Sequence, residues 1–159
     1  MTLLDKAPVK RVQKLLEEFD PNQDVILLDS SARTALEAAS SLNCEVGAIV
    51  KSLVFKTEKE YTLCLVAGDK KASLNKIKKI LNIKDAYMAS ANDVKNVTGF
   101  TIGGVSPIGH LNKLNVLIDS SLERFKYLFA AAGHPNCVFK ISFIDLNKIT
   151  KGSIKEFAE

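Results

Sequence analysis

Two apolar runs separated by a short polar turn constrain this chain more than any other feature. Residues 48–56 and 61–67 are rich in β-branched and aliphatic side chains, with Thr57-Glu58-Lys59-Glu60 between them. Runs of this length bounded by turn residues predict two strands joined as an antiparallel hairpin. Helical patterns lie on both sides. A hairpin set among helices breaks the regular strand–helix–strand alternation of a doubly wound parallel sheet. The expected fold is a single α/β domain of mixed α+β type over residues 1–159, with a central mixed, barrel-like sheet flanked by helices. A chain of 159 residues is long enough to bury one real core.

The remaining elements follow from periodicity and capping chemistry. Val9, Val12, Leu15, Leu16 and Phe19 recur on one face of a helix over 7–19, with Pro8 in its first turn. Asp20-Pro21-Asn22 ends it. Val25–Leu28 reads as a short strand. Ser30 or Ser31 is placed to cap a helix reaching about Leu42. Ser73 caps a helix bearing Leu74, Ile77, Ile80 and Leu81, and Ala86-Tyr87-Met88 is a short strand. Ser90 opens a helix to about Thr98, with Asp93 in the capping-box position. Val116-Leu117-Ile118 is a buried strand ending in Asp119. Phe125–Ala131 fits helix or strand, since a short apolar run does not discriminate between them. Val138–Ser142 is a strand, and Ser142 caps a last helix to about Thr150. The residues after it are expected to fray.

Composition narrows the function classes. No apolar run approaches the ~18 residues of a membrane span, and Met1–Lys6 has no apolar core of a signal peptide, so a cytoplasmic location is expected. Cys44, Cys64 and Cys137 are odd in number and widely spaced, which suits neither a disulfide framework nor a zinc site. No metal is expected. The net charge of +4 and pI near 8.9 are mildly basic. Only three of the 22 basic residues are arginines. Lysine supplies a diffuse positive field rather than bidentate base readout, so contact with an RNA backbone is favoured over duplex reading. A solvated lysine-rich surface explains the same composition.

Two segments carry chemistry. Lys51 interrupts Ile49-Val50-Lys51-Ser52-Leu53-Val54-Phe55. Alternation along a strand puts it among Ile49, Leu53 and Phe55. An unpaired ammonium buried there would cost several kcal/mol or lose its proton. Either Lys51 reaches a polar cleft, or the strand twists and the side chain snorkels to solvent. The second segment is Gly103-Gly104-Val105-Ser106-Pro107-Ile108-Gly109. Its paired glycines admit conformations closed to other residues, and Pro107 restrains Ser106. Such a loop is either a tight structural turn or a backbone cradle whose N–H groups face a developing oxyanion. It lacks the Gly-Lys-Ser/Thr ending of a phosphate loop. Ser106 has no evident base and sits in no Gly-x-Ser-x-Gly elbow. Gly133-His134-Pro135-Asn136 is a further constrained loop, in which His134 is either an ordinary surface histidine or a substrate contact.

Taken in order, these segments resemble the YbaK and prolyl-tRNA synthetase-associated editing domain family. The resemblance rests on Ala32–Ala39, Ile49–Phe55, Leu65–Asp69, Gly103–Gly109, Val116–Asp119 and Ala132–Asn136, and covers about residues 25–150. It implies a free-standing trans-editing aminoacyl-tRNA deacylase. Such an enzyme hydrolyses the ester of a mischarged tRNA, above all cysteine or alanine on proline tRNA, as a second sieve. Partners implied are the tRNA acceptor end and prolyl-tRNA synthetase, with no cofactor and no membrane. By the resemblance, Lys51 holds the aminoacyl-adenosine end. Gly103, Gly104, Val105, Ser106 and Pro107 form the loop at the reacting carbonyl. Asp119, Gly133 and His134 line or support the pocket. No protein nucleophile is implied: water, or the substrate's own hydroxyl or thiol, attacks. The other readings are a non-catalytic tRNA- or synthetase-binding module on the same fold, and a small-ester hydrolase indifferent to tRNA.

Overall fold

The computed structural model describes every residue except Met1, Ser30–Arg33 and Lys59. The expected cap at Ser30 or Ser31 lies outside the described residues. So do Ala32 and Arg33 of the resemblance.

The chain begins with α1 (Ala7–Phe19), β1 (Ile26–Leu27) and α2 (Ala35–Leu42). The hairpin follows as β2 (Val50–Thr57) and β3 (Tyr61–Ala67), then α3 (Leu74–Leu81), β4 (Ala86–Met88) and α4 (Ala91–Thr98). The last third holds β5 (Asn115–Asp119), β6 (Leu128–His134), β7 (Cys137–Ile141), α5 (Phe143–Thr150) and β8 (Ser153–Lys155). Side-chain caps set the starts of α2, α3, α4 and α5. The hydroxyls of Thr34, Ser73, Ser90 and Ser142 accept from the amides of Glu37, Lys76, Asp93 and Asp145, each cap contributing about 1 kcal/mol.

The strands form two sheets, ordered β1-β7-β6 and β4-β2-β3-β5-β8. The larger is mixed: β2 pairs antiparallel with β3 and β4, while β5 runs parallel to β3 and to β8. The barrel-like closure expected from sequence is not found. Both sheets are open, and among the described residues an isolated parallel bridge between Ile49 and Phe129 joins them. The reason is geometric. β4 covers only Phe55–Thr57 of β2, and beyond the Ile49 bridge the first half of β2 parts from β6, leaving a gap rather than a ladder.

The main core lies between the sheets and α1. It is built from Val9, Val12 and Leu16 of the helix against Leu63, Leu65, Ala130 and Phe139. A satellite core packs Phe55, Cys64, Val66 and Ile77 with Phe157. Burial pushes the Cys64 thiol up to about 12, as befits an inert core cysteine.

The expected frayed tail is corrected. β8 pairs with β5, Phe157 is fully buried, and Ala158 bridges Ala72. Asp119 is the clamp. Its Oδ1 accepts from the amides of Phe157 (2.8 Å) and Ala158 (2.9 Å), and its Oδ2 from the amide and hydroxyl of Ser121. Burial alone would raise this carboxyl, but the hydrogen bonds from Ser121, Phe157 and Ala158 hold it below the usual carboxylate range. Asp119→Ala leaves buried amides without acceptors. It is expected to lower stability by about 2–3 kcal/mol in urea unfolding.

Candidate active site

The gap beside β2 is a cavity of about 310 Å³. Consecutive residues Ile49–Leu53 form one wall, Phe129, Ala131 and Val138 of the smaller sheet another, and Ile102, Gly103, Val105 and Pro135 a third. The first turn of α2 closes it with Thr34, Ala35 and Ala38. The walls are mostly apolar. The Ser52 hydroxyl is buried there with no hydrogen-bond partner among the described residues. A buried hydroxyl in this state costs about 1–3 kcal/mol unless a ligand satisfies it.

Lys51 stands on this wall, half-buried. Its Nζ donates to the Lys70 carbonyl in the turn after β3. Burial pulls the ammonium below its ordinary value; Asp69 works against that and Lys71 adds to it. Leu53 and Phe55, on the same face of β2 as Lys51, pack in or against the satellite core.

The glycine loop faces Lys51's strand across the cavity. The Gly104 amide donates to the Thr101 carbonyl at 3.0 Å, closing the turn. Among the described residues the amides of Gly103 and Val105 meet no acceptor, and both residues line the cavity. These are the groups able to donate to a substrate oxygen. Gly103 has φ +94°, a conformation that favours glycine. Gly104 is required for a different reason. A Cβ there would stand 2.9 Å from His134 Cα and 3.0 Å from its backbone nitrogen. The glycine loop and the Gly133-His134 turn are thus packed backbone to backbone.

Of the other expected residues, Ser106, Gly133 and His134 belong to the loop or to the turn packed against it. Ser106 is fully buried, and its hydroxyl accepts from the Ile108 amide at 3.3 Å. Its carbonyl accepts from His110 Nε2 at 2.7 Å, so that nitrogen carries the proton. His134 Nδ1 accepts from the Asn136 amide at 3.1 Å, which leaves its proton on Nε2. Gly133 has φ +96°, and a Cβ there would meet Pro8 backbone atoms at 2.9 Å. Pro107 and Asp119 stand outside the cavity lining. The cavity-lining Ile49, Phe129, Ala131, Val138 and Pro135 were not legible as site residues from sequence.

His110 gives a pH test of the loop. Burial lowers its pKa; the Ser106 carbonyl opposes this, and Arg11 adds to the lowering. A histidine lowered on folding contributes stability that is complete above about 6.5 and is lost as pH falls toward its folded value. His134 is lowered as well, by burial and by Lys6. Thermal midpoints are therefore expected to fall between pH 7.5 and 5.5, and the fall should shrink in His110→Gln.

The fold is an open mixed α/β domain in which a half-buried lysine and a glycine loop line one mostly apolar cavity. The chain belongs to the aminoacyl-tRNA editing domain family, whose model matches residues 29–149, and to its YbaK-like, prolyl-tRNA synthetase-associated branch. A crystal structure of a protein described as a candidate trans-editing enzyme for prolyl tRNA synthetase superposes with a TM-score of 0.91. It shares 35% identity, covering 97% of this chain and 98% of that one. Protein YwhH of Bacillus subtilis (strain 168) is 32% identical over 143 residues, 89% of this chain and 90% of its own. The proline--tRNA ligase of Caldicellulosiruptor bescii is 28% identical over 144 residues, 85% of this chain but only 25% of the ligase. Among the described residues no helix is long and apolar enough to cross a membrane, and no cluster of metal-ligating side chains occurs.

Proposed function

We propose that the protein is a trans-editing deacylase that hydrolyses the ester of mischarged tRNA, with cysteine or alanine on proline tRNA as its substrates. The observation that carries this reading is one cavity lined by Lys51, by Gly103 and Val105, whose amides meet no acceptor among the described residues, and by an apolar wall. In it the ester carbonyl oxygen lies against those amides, which stabilise the charge that develops when the carbonyl is attacked. The Lys51 ammonium holds the adenosine end of the substrate. The aminoacyl side chain lies against Ile49, Phe129, Ala131 and Val138. The Ser52 hydroxyl bonds a thiol or amino group of the substrate. A cavity of this size favours small side chains, which is the logic of a second sieve.

Attack comes from water or from the substrate itself. Among the described residues no cysteine lines the cavity, and the Ser106 hydroxyl is turned into its own loop. Rate enhancement is then positioning and electrostatics. Prolyl-tRNA synthetase is the expected source of mischarged tRNA, and the cytoplasm the expected place of action.

The reading is tested with a non-hydrolysable 3′-amide analogue of alanyl-adenosine in a crystal structure. The expected complex places the amide oxygen within hydrogen-bond distance of the Gly103 or Val105 amide. An analogue bound elsewhere, with this cavity unfilled, would refute the assignment.

A further inference from the structure

Lys51 must be held if it is to position a substrate, and its acceptor is a main-chain carbonyl in a surface turn. That turn, Gly68-Asp69-Lys70-Lys71, is tied down by a side chain 55 residues away. Arg124 Nη1 donates to Asp69 Oδ2 at 3.0 Å, and Nη2 donates to Oδ1 at 2.8 Å. This is the bidentate fork that lysine cannot reproduce. The guanidinium is itself fixed. Its Nε donates to the Ser121 carbonyl at 2.7 Å, and its carbon lies 4.8 Å from the centre of the Phe125 ring. Ser121 in turn is bonded to the buried Asp119. On the other side, Gly47 presses against the pair. A Cβ there would fall 2.6 Å from Phe125 Cζ and 3.0 Å from Asp69 Cγ.

Most exposed ion pairs are free to fluctuate and contribute little. This one is bidentate, stacked on an aromatic ring, backed by a glycine and continuous with a buried carboxylate. It sits one residue before the carbonyl that receives Lys51. An ammonium has three donors. One is given to Lys70, and fixing it aims the other two.

We propose that Asp69 and Arg124 are positioning residues for Lys51: together they fix the turn whose Lys70 carbonyl orients the ammonium for the substrate. Its catalytic consequence rests on the deacylase reading; its structural core does not.

The test uses Asp69→Ala, Arg124→Ala and the double variant, with two readouts. The first is steady-state deacylation of Ala-tRNA(Pro). kcat is expected to fall about tenfold in each single variant with KM within about twofold, because misplacement costs rate rather than affinity. The double variant should be no worse than either single one, since the residues act as a unit. The second is the rate of amine acetylation at Lys51, read by mass spectrometry against the exposed Lys95 in the same molecule. It is expected to rise about fivefold in each variant as the hydrogen bond loosens. A general loss of structure would move Lys51 and the other half-buried lysines, such as Lys56 and Lys78, together, whereas the proposal requires the change at Lys51 alone. Wild-type kcat in Asp69→Ala, or unchanged Lys51 acetylation, overturns the proposal. Absence of turnover in the unmodified protein refutes the deacylase reading instead, and the acetylation result then decides the brace by itself.

Discussion

Lys51→Ala is expected to reduce hydrolysis of mischarged tRNA by about 10²–10³-fold while the protein stays folded. The side chain is only half-buried, and among the described residues its one hydrogen bond is to the Lys70 carbonyl. Its loss therefore leaves one partly solvated carbonyl and no unpaired charge. The stability cost should stay within about 1 kcal/mol. Far-ultraviolet circular dichroism and a urea titration check the fold, and single-turnover deacylation checks the chemistry. Binding of the tRNA body should change little. Lys51→Arg should not restore turnover, because a planar fork does not replace a compact ammonium on this wall. Full turnover in Lys51→Ala would remove this residue from the mechanism.

Gly104→Ala is the second large effect, and it arises from packing rather than charge. The new methyl meets the His134 backbone at 2.9–3.0 Å, and backbone cannot swing aside as a side chain does. The loop and the β6–β7 turn must separate, carrying the Gly103 and Val105 amides with them. The expected result is a stability loss of about 1–3 kcal/mol and, from a displacement on the order of 1 Å at the donors, about 10²-fold in turnover. Gly103→Ala provides the contrast. Its Cβ would find only Pro135 Cγ, at 3.5 Å, so its penalty is the strained positive φ. Equal stability losses in the two variants would show that close approach is not what requires Gly104.

Much of this architecture was legible because it is local. The stripe of Val9, Val12 and Leu16 announced α1, and the serine caps of α3, α4 and α5 announced their starts. The polar turn announced the β2–β3 hairpin. β6 stayed ambiguous for a physical reason. Leu128, Ala130 and Ala132 face the main core, while Phe129 and Ala131 face the cavity. With apolar groups on both faces, the period of two disappears. The tail was misread because its order depends on Asp119, 38 residues before Phe157. Barrel closure was misread because strand content does not say whether two edges meet.

The site was half legible. Lys51 and the glycine loop stand out as departures from local expectation, a charge in an apolar run and paired glycines before a proline. The cavity wall does not, because Ile49, Phe129 and Val138 are ordinary strand residues that acquire meaning only when two sheets face each other. The division between Gly103 and Gly104 was also hidden. One lines the cavity and the other permits the loop to dock, and only the packing against His134 separates them.

The most direct test of the central claim is deacylation of proline tRNA charged separately with cysteine, alanine and proline. Cysteine or alanine is expected to be released and proline spared. Release of none, with the tRNA still bound, would contradict it and leave a binding module on an editing-domain fold.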